Sequence, residues 1–319
     1  MLVNLYKSKT PLSIFTLPLL AGLVSLSLFF KPVGPQTYFF KWQTDLFGMI
    51  QNTTWLSFLL TATLIGVNAM LMNNVFNRNT FFSKDSFLPG FIYITGLATL
   101  DGISFSPLLV AHLFVIGGLY FLLQLKRQEP AKSLVFVGSF LLGVAIVFSP
   151  MMLSLALLPW ISLLVIRPFI WRDWIVALLG LTLPLFYHFA CYYMVTGVLK
   201  IERMDLKIDS PDVVWTISQS AAYLSMSLCV LLGSLRFLAI MRSQLVSFKK
   251  ISQVVLFTVL LSTASFIIGW YAFDQLYISF LIPLGFIISV QLLYAERPRI
   301  AAGLVNIWFV AAMLNLFLS

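Results

Sequence analysis

Stretches free of Asp, Glu, Lys and Arg recur along the chain at 10–30, 46–77, 86–100, 102–125, 133–166, 174–199, 213–235, 251–273, 275–295 and 300–319. The hydrocarbon core of a bilayer, about 30 Å thick, is crossed by about 20 helical residues, so most of these runs predict one span each. The run 133–166 does not fit that rule, because it holds 34 residues without one ionisable side chain. As a single helix it would be about 50 Å long. Its central break is Ser149-Pro150, where proline removes a backbone donor and biases the preceding residue away from the helical region. The spacing therefore predicts a hairpin of two short or tilted spans turning at Ser149-Pro150. Lys126, Arg127 and Lys132 precede it, and Arg167 and Arg172 follow it. The predicted fold is all-α, a polytopic transmembrane helical bundle of about 11 spans forming one integral membrane domain over 1–319. The count becomes ten if 86–100, a run of 15 residues holding Pro89, Gly90 and Gly96, does not cross.

Between the runs, three segments have a character of their own. Residues 31–54 place Tyr38, Phe39, Phe40, Trp42 and Phe47 among few charges, and such aromatics prefer the headgroup level, which predicts an interfacial helix. Residues 200–212 carry seven charges in 13 residues and read as a solvated loop. Residues 242–250 read as a short basic linker able to meet anionic headgroups.

Composition agrees with a membrane chain: 60% of residues are apolar and 10% charged, against about 45–50% and about 25% in soluble domains. The net charge of +9 does not point to nucleic acid, since the cations stand singly or in pairs between apolar runs. They report topology instead. With the N-terminus cytoplasmic, 15 of the 20 Lys and Arg fall on inner loops, leaving Lys31, Lys41, Lys200, Arg203 and Lys207 outside, as the positive-inside rule requires. The C-terminus then lies on the outer side. The first run, at 21 residues, exceeds the about 7–15 of a signal-peptide core and is expected to be a retained span. Cys191 and Cys229 fall inside apolar runs and have no spacing that suggests a disulfide or a metal.

Candidate chemistry is sparse. No nucleotide-binding loop, no H-E-x-x-H and no C-x-x-C occurs, and the sequence names no cofactor or metal site. An ionisable group at membrane depth is a functional hypothesis by default. His112 and His188 are the two histidines, both in the outer halves of their spans, and together could act as acid and base or hold a metal; ordinary interhelical hydrogen bonding is the reading preferred for them. Asp45, Asp101 and Asp274 lie at outer span edges. A half-buried carboxylate at Asp101 could serve as general base or hold a cation on a diphosphate, or could cap the helix starting near Ser106-Pro107. On the inner side Asn73, Asn74, Asn77, Arg78, Asn79 and Lys84 cluster between two runs. Asn74, Arg78, Asn79 and Lys84 are candidates for receiving a phosphate headgroup, and a turn with asparagine caps accounts for the same residues.

Four segments between Asn73 and Trp174 carry a resemblance: NVFNRNTFFSKDSFLPGFIYI, SFSPLLVAHLF, FVGSFLLGVAIVFSP and RPFIWRDW. In these the chain resembles a family of polytopic bacterial inner-membrane proteins with no assigned activity. More remotely, the order of inner loop, span, acid-bearing outer turn, span and basic inner loop is similar to the membrane portion of family C glycosyltransferases, which use polyprenyl-phosphate sugars. That resemblance implies that Asp45 and Asp101 serve a metal and the acceptor. The chain departs from those enzymes in having one acid where a pair is usual on a short first outer loop, and no large soluble domain after the spans. The expected role is a structural or assembly subunit of envelope biogenesis in the bacterial inner membrane. Its partners would be the lipid bilayer and other membrane subunits. A lipid-linked glycan enzyme acting on a polyprenyl-phosphate lipid is the alternative. A transporter is the third reading, disfavoured because no span carries a mid-depth Asp, Glu or Arg.

Overall fold

The computed structural model describes residues 2–8, 10–30, 38, 40–79, 81, 85–99, 103–125, 130–197, 217–268 and 273–318. The chain is all-helical over these residues, as its apolar runs require. In order come α1 (Leu2–Tyr6), α2 (Pro11–Ser25), α3 (Lys41–Gln51), α4 (Thr54–Arg78), α5 (Leu88–Ala98), α6 (Pro107–Leu122) and α7 (Lys132–Phe148). There follow α8 (Leu158–Ile166), α9 (Trp171–Thr196), α10 (Ile217–Ser243), α11 (Val246–Ile268), α12 (Phe273–Leu293) and α13 (Pro298–Leu318). Among the described residues six helical segments, those of α2, α4, α9, α10, α11 and α13, are long and apolar enough to cross a bilayer, and shorter apolar helices accompany them. The chain is thus a multi-pass membrane protein.

Local chemistry sets several boundaries. Thr10 and Ser13 form a reciprocal capping box at the start of α2, with Pro11 in its first turn, satisfying donors that a helix start leaves open. Ser106 caps α6 by accepting from the Leu109 amide at 3.3 Å, so the helix start expected at Ser106-Pro107 is where it lies. Gly197 ends α9 with φ 68°, a left-handed backbone that glycine adopts without a Cβ penalty.

Ser149-Pro150 is the break in 133–166, but the descending half is not α-helical throughout. Pro150–Leu157 winds as a 3₁₀ helix before α8 begins. At about 2.0 Å rise per residue against about 1.5 Å, that stretch extends a 17-residue segment from about 25 Å to about 30 Å, the thickness of the hydrocarbon core. The basic linker expected at 242–250 is corrected: α10 runs on to Ser243 and α11 starts at Val246. Arg242, Lys249 and Lys250 therefore sit on helix ends. Lys250 Nζ donates to the Ile166 carbonyl at 3.0 Å, satisfying an open acceptor at the end of α8.

Contacts fix the directions of neighbouring helices. Asn73 meets Gly90 while Asn68 meets Tyr93, so α4 and α5 are antiparallel. Asn68 bonds the Leu109 carbonyl and Arg78 bonds Tyr120, so α4 and α6 are parallel. Ser154 bonds the Leu261 carbonyl as Lys250 bonds that of Ile166, making the descending half of the hairpin antiparallel to α11. Gly143 abuts Leu181 and Pro184 while Gly180 abuts Phe136 and Ser139, so α7 and α9 run parallel at a backbone approach that small residues permit.

At the centre stands α5. It has 11 residues, every one of them buried. At about 16 Å it is half a bilayer thick, and its packing partners are α4, α12, α13 and α2. Leu281 of α12 packs on Gly96, and Phe309 of α13 and Tyr6 of α1 pack on Phe91.

Candidate functional site

Both ends of α5 are tied by side chains from other helices. At its start the Gly90 amide donates to Asn73 Oδ1 at 2.7 Å, the Ser86 amide to Asn77 Oδ1 at 2.9 Å, and Ser86 Oγ to the Tyr6 carbonyl at 3.1 Å. At its finish Trp308 Nε1 donates to Thr99 Oγ1 at 3.0 Å, and Asn315 Nδ2 donates to the Thr99 carbonyl at 3.2 Å. These bonds close the open donors and acceptors of a short helix that has no water to turn to.

Midway lies a polar chain crossing three helices. Asn68 Nδ2 of α4 donates to the Leu109 carbonyl at 3.2 Å and to the Tyr93 hydroxyl at 3.3 Å. That hydroxyl lies 3.0 Å from His112 Nδ1. The Tyr93 hydroxyl thus bridges the Asn68 amide and the His112 imidazole. His112 Nε2 and Asn68 Oδ1 are buried and have no hydrogen-bond partner. The chain therefore ends in an unpaired polar atom at each end, and all three residues are fully buried. Charging His112 there would leave a cation without a counter-ion at membrane depth.

The second polar assembly is α3. Gln43, Phe47 and Gln51, spaced by four, share one helix face. Gln43 Nε2 donates to the Phe148 carbonyl at 2.9 Å, the Phe47 ring stacks on Phe105 at 5.2 Å, and Gln51 Nε2 donates to the Phe105 carbonyl at 3.0 Å. The predicted interfacial helix is thus a bar laid over the end of α7 and the turn into α6.

Asp45 is two residues from Gln43, on the face turned away from the bundle, and is exposed. Asp101 and Lys84 lie outside the described residues. His188 on α9 is half-buried, with its ring 4.4 Å from that of Phe40 and 6.3 Å from that of Trp42. It has no hydrogen-bond partner or ring neighbour in common with His112. Asn74 and Arg78 are exposed, Arg78 stacking over the Tyr120 ring and bonding its hydroxyl. Asn79 is buried and directs its amide to the Val75 carbonyl at 2.8 Å, closing the end of α4. Among the described residues no three of His, Cys, Asp or Glu gather as a metal site would require.

Sequence reasoning missed Asn68, Tyr93, Gln43, Gln51, Thr99 and Asn315. For Asn68 the signal was available: an amide in mid-span is costly unless another helix answers it. For the two glutamines it was their spacing of eight around Phe47. Compared with known protein families, with curated proteins and with solved structures, the chain matches none.

Proposed function

We propose that the chain is a non-catalytic structural or assembly subunit of envelope biogenesis in the bacterial inner membrane. It crosses eleven times, with a cytoplasmic N-terminus and an outer C-terminus. One observation carries this reading: the polar groups at depth serve helix-to-helix bonds around α5. Asn68, Asn73, Thr99 and Asn315 each bond a neighbouring helix, and Asp45 faces away from the bundle. The helix directions support the eleven crossings, since a fully buried α5 antiparallel to α4 and α6 takes one place in the alternation. The envelope and inner-membrane assignment rests on the charge asymmetry and on the resemblance of 73–174.

A second reading, a lipid-linked glycan enzyme, is favoured by the Phe47–Phe105 stack and the Gln51 bond. They bring the helix bearing Asp45 alongside 103–105, the residues that follow Asp101. The two readings separate on Asp45→Asn and Asp101→Asn in a deletion strain. Complementation by both variants at normal abundance is the expected result. Loss of complementation with intact membrane insertion transfers the assignment to the enzyme.

A further inference from the structure

At the end of the bundle where α10 and α12 finish and α13 begins, the three helices enclose a shallow cleft of about 460 Å³. One side is apolar, formed by Leu232 and Leu235 of α10 with Ile300 and Leu304 of α13, and the mouth carries Arg236, Glu296 and Arg297. Arg236 is held by Glu296 at 2.8 Å and by the Tyr294 carbonyl at 3.3 Å, while its Nε has no hydrogen-bond partner. The cleft is thus lined by two arginines and one acid, and the Glu296 side chain is 78% exposed. The first turn of α13 opens at the same mouth and contains no acidic residue, so the positive end of that helix adds to the field there, while its Ile300 and Ala301 amides are taken by the Arg297 carbonyl at 3.1 and 3.2 Å.

An apolar trough ending in cations is complementary to an amphiphile with an anionic head, and basic pockets between membrane helices take phosphate headgroups. The volume suits a headgroup and the upper part of one chain. We propose that this cleft binds one anionic phospholipid. Its phosphate meets Arg297 and Arg236, and an acyl chain lies along Leu232, Ile300 and Leu304. Glu296 competes with the phosphate for Arg236.

The purified full chain in an uncharged detergent, titrated with dioleoylphosphatidylglycerol or dioleoylphosphatidylcholine and read by native mass spectrometry, tests this. The anionic lipid is expected to bind about tenfold more tightly, a difference of about 1.4 kcal/mol. Arg297→Gln weakens it about tenfold. Glu296→Gln tightens it several-fold by releasing Arg236, which a merely structural ion pair would not do. Equal retention of the two lipids, or unchanged or weaker binding in Glu296→Gln, overturns the proposal. Displacement of the lipid by inorganic phosphate at the same concentration overturns it in favour of a free-anion site. If Arg297→Gln does not fold, Glu296→Gln decides, because that carboxylate lies at the surface.

Discussion

Gly90 and Asn73 meet where α5 lies directly against the backbone of α4: the Gly90 amide donates to Asn73 Oδ1 at 2.7 Å, and a Cβ at Gly90 would stand 2.6 Å from the Ala69 carbonyl oxygen. The obstacle is backbone and cannot swing aside. Gly90→Ala is therefore expected to destabilise the bundle by about 2 kcal/mol. Gly303→Ala, where nothing lies within 4 Å, should leave stability unchanged or slightly raised. Reversible unfolding in micelles measures both.

The Tyr93–His112 bond supplies a second expectation. Tyr93→Phe removes the hydroxyl that links Asn68 to the imidazole, and His112→Leu removes the ring it bonds. Hydrogen bonds between membrane helices contribute about 0.6 kcal/mol on average and rarely more than about 1.7 kcal/mol. The double-mutant cycle should give a coupling of about 1 kcal/mol. Strict additivity of the two substitutions would show that the bond contributes nothing.

Gln43 and Gln51 hold α3 to the bundle, and Asp45 does not. Replacing both glutamines with alanine should raise hydrogen exchange of the α3 amides about tenfold, the effect of about 1.4 kcal/mol of local stability. Asp45→Asn should change stability by less than about 0.5 kcal/mol, as expected of a surface substitution.

Alkaline pH should release α1. Burial pushes the Tyr6 hydroxyl above its ordinary value of 10.0, with a hydrogen bond from Thr16 pulling the other way. A folded value above the unfolded one means that the neutral form is favoured by folding. The stabilisation is complete below the ordinary value and is lost as pH rises through the folded one. Limited proteolysis near 1–10 should therefore accelerate above about pH 10, and Tyr6→Phe should abolish that acceleration.

The multi-pass helical character was legible because charge interrupts apolar runs at bilayer intervals, and the break at Ser149-Pro150 was legible from the length of 133–166 and its central proline. The role of 86–100 was not. A helix apolar on every face has the same pattern whether lipid or protein surrounds it, so Pro89, Gly90 and Gly96 showed an irregular segment without showing that α5 is enclosed. The 3₁₀ stretch Pro150–Leu157 was hidden for the same reason, since its residues carry no period that separates it from α-helix. Asn79 was read both as a headgroup ligand and as a cap, and in the fold it closes the end of α4, while its neighbour Asn77 holds the segment leading into α5. Asn68 passed unnoticed because its partners, Tyr93 and Leu109, are 25 and 41 residues away.

The account turns on α5 occupying one place in an alternating bundle although it is half a bilayer long. Single cysteines at Ser8 and Ser319, in a chain carrying Cys191→Ser and Cys229→Ser, can be probed in intact cells with a membrane-impermeant maleimide. The account requires labelling at 319 and protection at 8 until the membrane is opened. Equal labelling or equal protection of the two would contradict it.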